Sequence, residues 1–239
     1  GDAITTGHQN TFLGDFAGST TTNVGFATAV GHGAMGSAIV TDDADGSVAI
    51  GATALESLTN ATGCTAVGYE SLKTLSTANF CTAIGYQAGA LVTGSLNTIV
   101  GYQAADVLAS GTSNTVIGAR AFGAADGSET NSVVIGTDAG SSINHDSTDG
   151  NVIIGHDAGT GGGAQLIQNV VIGRNALNST GNNATTGIVA IGYSALTAQT
   201  TGTANTAIGY NSLTATDDGS YNTAVGYQSL SANCGNENT

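Results

Sequence analysis

Proline and tryptophan are absent from this 239-residue chain, and aromatic residues make up only 5% of it. A core built on bulky rings is therefore excluded. Positive charge is almost missing as well: Lys73, Arg120 and Arg174 stand against 17 Asp and Glu, for a formal net charge of -14 and a pI near 4.1. A chain this acidic repels a phosphate backbone and has no basic stripe, which excludes nucleic acid as a partner. No run of about 18 apolar residues is present to span a bilayer, and no basic segment precedes an apolar stretch at the N-terminus. Insertion into a membrane is not expected. Three cysteines, Cys64, Cys81 and Cys234, are an odd number and too few for a disulfide framework. They lean towards assembly in a reducing compartment.

What is present is glycine, 37 residues of it, and a hydrophobic fraction of 40% dominated by Ala, Val, Ile and Leu. Small and β-branched side chains suit a narrow β core. The arrangement is periodic. The glycine of the pattern N-T-x-[VIL]-G recurs at Gly14, Gly31, Gly51, Gly68, Gly85, Gly101, Gly118, Gly136, Gly155, Gly173, Gly192, Gly209 and Gly226. These thirteen units, spaced by 16 to 20 residues, predict a single repeat array over 1–239, a parallel β-solenoid or β-roll with one unit per rung. At about 4.8 Å per rung the array would be a rod roughly 60 Å tall.

Positions are counted here from that glycine. Position −1 is aliphatic in every unit, from Leu13 and Val30 to Ile208 and Val225, and is expected to point into the interior. Position −2 is also apolar throughout: Ala in seven units, and Phe12, Ile99, Val116, Val134, Ile153 or Val171 in the rest. Neighbouring strand residues point to opposite faces, so both faces should be buried. A solenoid has one inside; the second face, assigned to position −2, then needs another copy of the chain. Position +3 is only Ala or Ser, which predicts a tight turn. Position +4 is most often Leu and is expected to fill the core from a second strand. The glycine itself is expected to turn with positive φ or admit a neighbouring backbone. Asn at position −4, as in Asn10, Asn97, Asn114, Asn151, Asn169, Asn205 and Asn222, fits an amide that hydrogen-bonds along the stack.

Four insertions lengthen the spacing: residues 36 to 46, 140 to 150, 159 to 168 and 177 to 187. Insertions in a solenoid map to outer loops, often on a binding face. The polar residues Asp42, Asp43, Asp45, Asn144, His145, Asp146 and Asp149 are therefore the candidate recognition residues. The chain begins with a repeat almost at once and stops at Asn238-Thr239, the opening of a fourteenth unit. That predicts a segment of a longer fibre, or a subunit that stacks end to end.

Units such as Ser47-Val48-Ala49-Ile50-Gly51 and Asn131-Ser132-Val133-Val134-Ile135-Gly136, with Ala54 and Ala139 three residues after the glycine, resemble the head repeats of YadA-like trimeric autotransporter adhesins. The tyrosine-bearing form, Asn205-Thr206-Ala207-Ile208-Gly209-Tyr210-Asn211-Ser212-Leu213, is similar to repeats in fibre proteins of bacteriophages and environmental bacteria. The resemblance implies a left-handed β-roll, although the usual crossover rule favours right-handed winding. It also implies a homotrimer acting as a non-enzymatic extracellular fibre, on a virion or bacterial surface, attaching to a host or neighbouring-cell glycan or protein. A phage tail fibre is the leading expectation. The alternatives are a bacterial surface adhesin or filament subunit and a polysaccharide-active enzyme on a solenoid scaffold.

Chemistry is sparse. Tyr69, Tyr86, Tyr102, Tyr193, Tyr210 and Tyr227 follow the glycine and predict two stacked ladders, with ring faces usable by sugars. Asp138 and Asp157 share position +2 on adjacent rungs beside His156 and Arg174, an arrangement able to hold a hard cation. No calcium-loop spacing accompanies it. Cys64 and Cys81 replace asparagines on adjacent rungs and are expected to be free thiols, since parallel side chains disfavour a disulfide dihedral. No nucleophile elbow, P-loop or CxxC pair is present. No catalytic residue, cofactor or metal ligand is expected.

Overall fold

The structure, a computed structural model, describes residues 3–38, 40, 44–161, 165–180, 184–216 and 218–239. It contains two compact units, Gly1–Asn114 and Thr115–Thr239, and each is a parallel β-solenoid. In the first unit each repeat contributes one three-residue strand: β1 (Thr11–Leu13), β2 (Thr28–Val30), β3 (Val48–Ile50), β4 (Thr65–Val67), β5 (Thr82–Ile84) and β6 (Thr98–Val100). The second unit has β7 (Thr115–Ile117), β8 (Val133–Ile135), β9 (Val152–Ile154), β10 (Leu166–Ile167), β11 (Val170–Ile172), β12 (Thr185–Thr186), β13 (Val189–Ile191), β14 (Thr206–Ile208) and β15 (Thr223–Val225). Strands of successive repeats pair in parallel without offset, as in Ala49↔Ala66 and Ile50↔Val67 or Val171↔Ala190 and Ile172↔Ile191. β10 and β12 form a separate pair.

Each strand other than β10 and β12 ends just before its repeat glycine, where φ lies between 128° and 141° in all thirteen repeats. That is the positive φ expected from the pattern, but it lies outside the αL region. It is a region that local backbone sterics all but close to residues with a side chain, and the stack adds a second obstacle. A Cβ on Gly31 would lie 2.7 Å from the Gly51 carbonyl oxygen, and one on Gly68 closer still to the carbonyl of Gly85. The αL residues come at positions +2 and +4 instead, for example Glu70 (φ 54°) and Leu72 (φ 47°). Between them, the Ser71 N–H turns back onto the Gly68 carbonyl. Rungs are joined in both directions: Thr82 N–H donates to the Asn97 carbonyl at 2.8 Å, and Gly85 N–H donates to the Val67 carbonyl at 2.8 Å.

The inside and the outside of the strand are reversed relative to the sequence expectation. Position −2 is the core: Ala29, Ala49, Ala66, Ala83 and Ile99 in the first unit, and Val116 to Ala224 in the second, are fully or almost fully buried. Only Phe12, in the first rung, is half-buried. Position −1 faces outward, so Ile50, Ile84 and Ile208 remain 37 to 43% exposed. The physical reason is the width of the solenoid. A strand facing a turn one rung wide mostly places Ala opposite Leu or Met, although Val116 opposite Phe122 and Val171 opposite Leu177 are buried as well.

Size matching supports this account. Ala49 and Ala66 sit with buried Leu55 and Leu72 at position +4, whereas Phe12 and Ile153 sit with Gly18 and Gly159. A Cβ on Gly18 would meet the Phe12 ring, and one on Gly159 would meet Ile153. Position +4 thus fills the core as expected, but from an αL turn rather than a second strand. A buried amide column completes the interior. Asn97 Oδ1 accepts the backbone and side-chain N–H groups of Asn114, while Asn97 Nδ2 donates to the Gly111 carbonyl at 2.8 Å. Asn222 Oδ1 receives Asn238 in the same way.

Glycine spacing alone makes a prediction. Gly68→Ala forces both the backbone and the neighbouring rung, and is expected to lower stability by about 3 kcal/mol or more. Gly46 also has positive φ, 72°, but a Cβ there meets nothing within 4 Å. Gly46→Ala is expected to cost only about 1 kcal/mol. Denaturant midpoints of the two variants check this, and equal losses would refute the role given to rung contact.

Candidate functional site

Four surface features are built by the stack. The first is the outward strand face. Burial alternates from position −5 to −1, so that Phe80, Thr82 and Ile84 face out while Cys81 and Ala83 face in. In the second unit, β8, β9, β11 and β13 present Val133, Ile135, Val152, Ile154, Val170, Ile172, Val189 and Ile191, none of them fully buried. At position −5 of other repeats Phe26, Phe80, Leu96 and Tyr221 are 56 to 63% exposed in a left-handed turn. An apolar side chain at such a corner gains nothing from the solenoid's own core. The sequence signal for this column was a large apolar residue recurring in an otherwise polar loop.

The second feature is the pair of tyrosine ladders. Tyr69, Tyr86 and Tyr102 stack with centroids 5.2 and 5.5 Å apart; Tyr193, Tyr210 and Tyr227 stack at 5.0 and 5.4 Å. The ladders form as expected, but ring faces are turned on one another, and inner rings offer a sugar only their edges. Alongside runs a polar row in which Gln103 Nε2 donates to Gln87 Oε1 and Gln87 Nε2 donates to Glu70 Oε2. Lys73 bonds Glu70 at 2.7 Å, which holds the Glu70 carboxyl below its ordinary value. The charge and hydrogen bonding of Glu70 in turn hold the Tyr69 phenol above its ordinary value.

The third is a charged row in the second unit. Asp138, His156 and Asp157 offer ligand atoms within 4.8 Å of one another, close enough for a hard cation. The Asp138 carboxylate is nevertheless held by Arg120, whose Nε and an Nη each donate at 2.8 Å, and His156 Nδ1 lies 2.7 Å from Asp157. An entering cation would have to displace a bidentate guanidinium. Arg174 is exposed on the next rung.

The described residues of the insertions form the fourth feature, and several of them are tied into the stack. Thr130, Asp149 and Ile167 bridge in parallel, and Ile167 pairs with Thr186 between β10 and β12, so the lengthened segments stack as a second ladder. Asp149 accepts hydrogen bonds from Thr130 Oγ1 and Asn131 Nδ2, both at 2.8 Å, which lower its carboxyl from the ordinary value. Asp45 is likewise tied in, its Oδ1 accepting the Gly25 N–H at 2.6 Å. Of the described candidate recognition residues, Asn144, His145 and Asp146 are the exposed ones, between buried Ile143 and Thr148. Asp42 and Asp43 lie outside the described residues.

Glu129 escaped the sequence reading, being one carboxylate among many in a polar segment. Its side chain is fully buried beneath that projecting loop, and Oε2 accepts the Gly127 N–H at 3.1 Å. Burial raises its carboxyl above the ordinary value; backbone hydrogen bonds, including those of Gly127 and His145, oppose the shift, and Asp126 adds to it.

Cys64 and Cys81 are free, buried thiols in the asparagine column. Each donates to a carbonyl, of Ala78 and Gly94 respectively, at 3.2 Å. A side-chain hydrogen bond with the neighbouring Cys64 thiol, and then burial, push the Cys81 thiol up.

No helix among the described residues is long and apolar enough to cross a membrane. No family model, curated protein or solved structure matches the chain.

The buried carboxyl gives a pH prediction. A carboxyl whose folded pKa is raised imposes no penalty below its unfolded pKa and its full penalty above the folded value. Glu129→Gln, which keeps an acceptor and removes the charge, is expected to raise the melting temperature at neutral pH and leave it unchanged below pH about 4. Melting curves across that range test it; a variant less stable at neutral pH would contradict the burial argument.

Proposed function

We propose that this chain is a non-enzymatic structural and adhesive fibre, a left-handed β-roll in which three copies pack their outward strand faces around a common axis. A phage tail or other virion fibre that attaches to a host surface is the setting this reading favours. The carrying observation is that position −1 is aliphatic in every rung and yet lies outside the solenoid's own core. A row maintained without exception at a solvent-facing position calls for a partner. Parallel sheets are ordinarily covered on both faces, and a second and third copy supply matching rows at matching rung spacing. The same face carries the exposed corner residues Phe26, Phe80 and Leu96, which widen the apolar strip.

Light scattering at several protein concentrations is expected to give three times the chain mass. Val152→Lys with Ile154→Lys buries two unpaired ammonium groups per chain at the proposed contact, each costing about 3 to 5 kcal/mol. That variant is expected to be monomeric with an unchanged far-ultraviolet spectrum. A monomeric parent protein would defeat the proposal.

Recognition is assigned within this reading to the projecting tip. Because Ile143 and Thr148 are buried, substitution is a cleaner test than deletion. Replacing Asn144, His145 and Asp146 together by Ala is expected to leave melting unchanged and to weaken adsorption to host cells at least about tenfold, the loss of about 1.4 kcal/mol. Full adsorption would place recognition elsewhere.

A further inference from the structure

We propose that the two tyrosine ladders are sites of oxidative cross-linking, at which a one-electron oxidant, such as a haem peroxidase supplied with hydrogen peroxide, joins tyrosines of neighbouring rungs into dityrosine. The ladders place phenols of adjacent rungs with centroids 5.0 to 5.5 Å apart and ring planes within 11° to 19° of parallel. Five of the six rings keep 41 to 49% of their surface open and Tyr227 keeps 72%, so an oxidant reaches the phenols without unfolding the rung. Parallel strand register holds each ring beside its neighbour permanently, which gives the coupling step the advantage of an intramolecular reaction.

The bond changes balance simply. Each of two phenols gives up one electron and its hydroxyl proton to become a tyrosyl radical. The radicals combine through ring carbons next to the C–O carbon, forming one C–C bond. Each of those carbons then loses its hydrogen as the phenol is restored. Two tyrosines and one hydrogen peroxide yield one dityrosine and two waters. At Tyr69 the neighbouring Glu70 carboxylate is an acceptor for the departing proton.

The rest of the chain competes poorly for the oxidant. There is no tryptophan, and the single methionine, Met35, is fully buried together with Cys64 and Cys81. The remaining thiol, Cys234, is partly exposed and is best replaced by Ser during the test. Tyr221 serves as an internal control. It is 63% exposed but stacks on no other ring among the described residues. A link between rungs would add a covalent tie to units whose described cysteines are all free.

The test is oxidation of dilute Cys234→Ser protein by peroxidase and peroxide, followed by dityrosine fluorescence and mass spectrometry of peptides. The expected products are intrachain links Tyr69–Tyr86 or Tyr86–Tyr102, and Tyr193–Tyr210 or Tyr210–Tyr227, in a yield independent of protein concentration. Tyr86→Phe with Tyr210→Phe keeps the ring stacks but leaves reactive phenols two rungs apart. It is expected to cut the intrachain yield at least about tenfold, since the proximity advantage is lost. Tyr221→Phe is expected to leave the yield unchanged. No dityrosine, or links found only between chains with a yield that rises with concentration, would overturn the proposal.

Discussion

Backbone contact between successive glycines sets the terms for everything else in each unit. The carbonyl of one repeat glycine occupies the space where a Cβ of the preceding glycine would stand. Rungs can therefore approach to hydrogen-bonding distance at the tightest point of the turn, and both φ and residue identity follow at that position. With the spacing fixed there, the strand residues before the glycine pair without offset, and the αL turns after it fall into equivalent places on every rung. Asparagine amides, tyrosine rings and glutamine side chains become columns because the backbone has already placed them one rung apart.

The interior obeys a second constraint, constant width. A rung with Ala at position −2 generally has Leu or Met at +4, and a rung with Phe or Ile has Gly or Ala. One exception is accommodated between rungs rather than within one. Ala83 shares its layer with Gly89, and the gap is reached by Leu72 from one neighbour and Ile99 from the other. Polar positions show similar substitution under a common demand. Asn, Ser or Cys at position −4 hydrogen-bonds a backbone group of its own or a neighbouring rung, whereas Ala27 and Ile188 at that position offer only a backbone N–H, donated to Asn10 and Asn169.

Much of this was legible from residues alone. Repeat glycines, strand positions, the small residue at +3, the amide column and the tyrosine stacks all follow from recurrence, because a stacked fold repeats its demands. The sense of the strand was not legible. Ala49 and Ile50 are both apolar, and alternation says only that they point opposite ways; hydrophobicity favoured the larger residue for the core, whereas the width of the rung favours the smaller. Loop order was also hidden. Asp149 and Asp45 read as solvent-seeking residues in insertions, yet each is held by hydrogen bonds from the adjacent repeat. Glu129 carries no periodic signal at all, and only its burial distinguishes it from the acidic surface.

The variable repeat length has a consequence for engineering. Units of 16 to 20 residues all return to the same strand register, so extra residues are diverted at a corner before the chain rejoins the ladder. At residues 144 to 147 that diversion is an exposed stretch flanked by two buried anchors. Foreign peptides spliced between Ile143 and Thr148 would be displayed at a fixed height along the second unit. Successive corners would make it a ruler for arranging several epitopes about one rung apart.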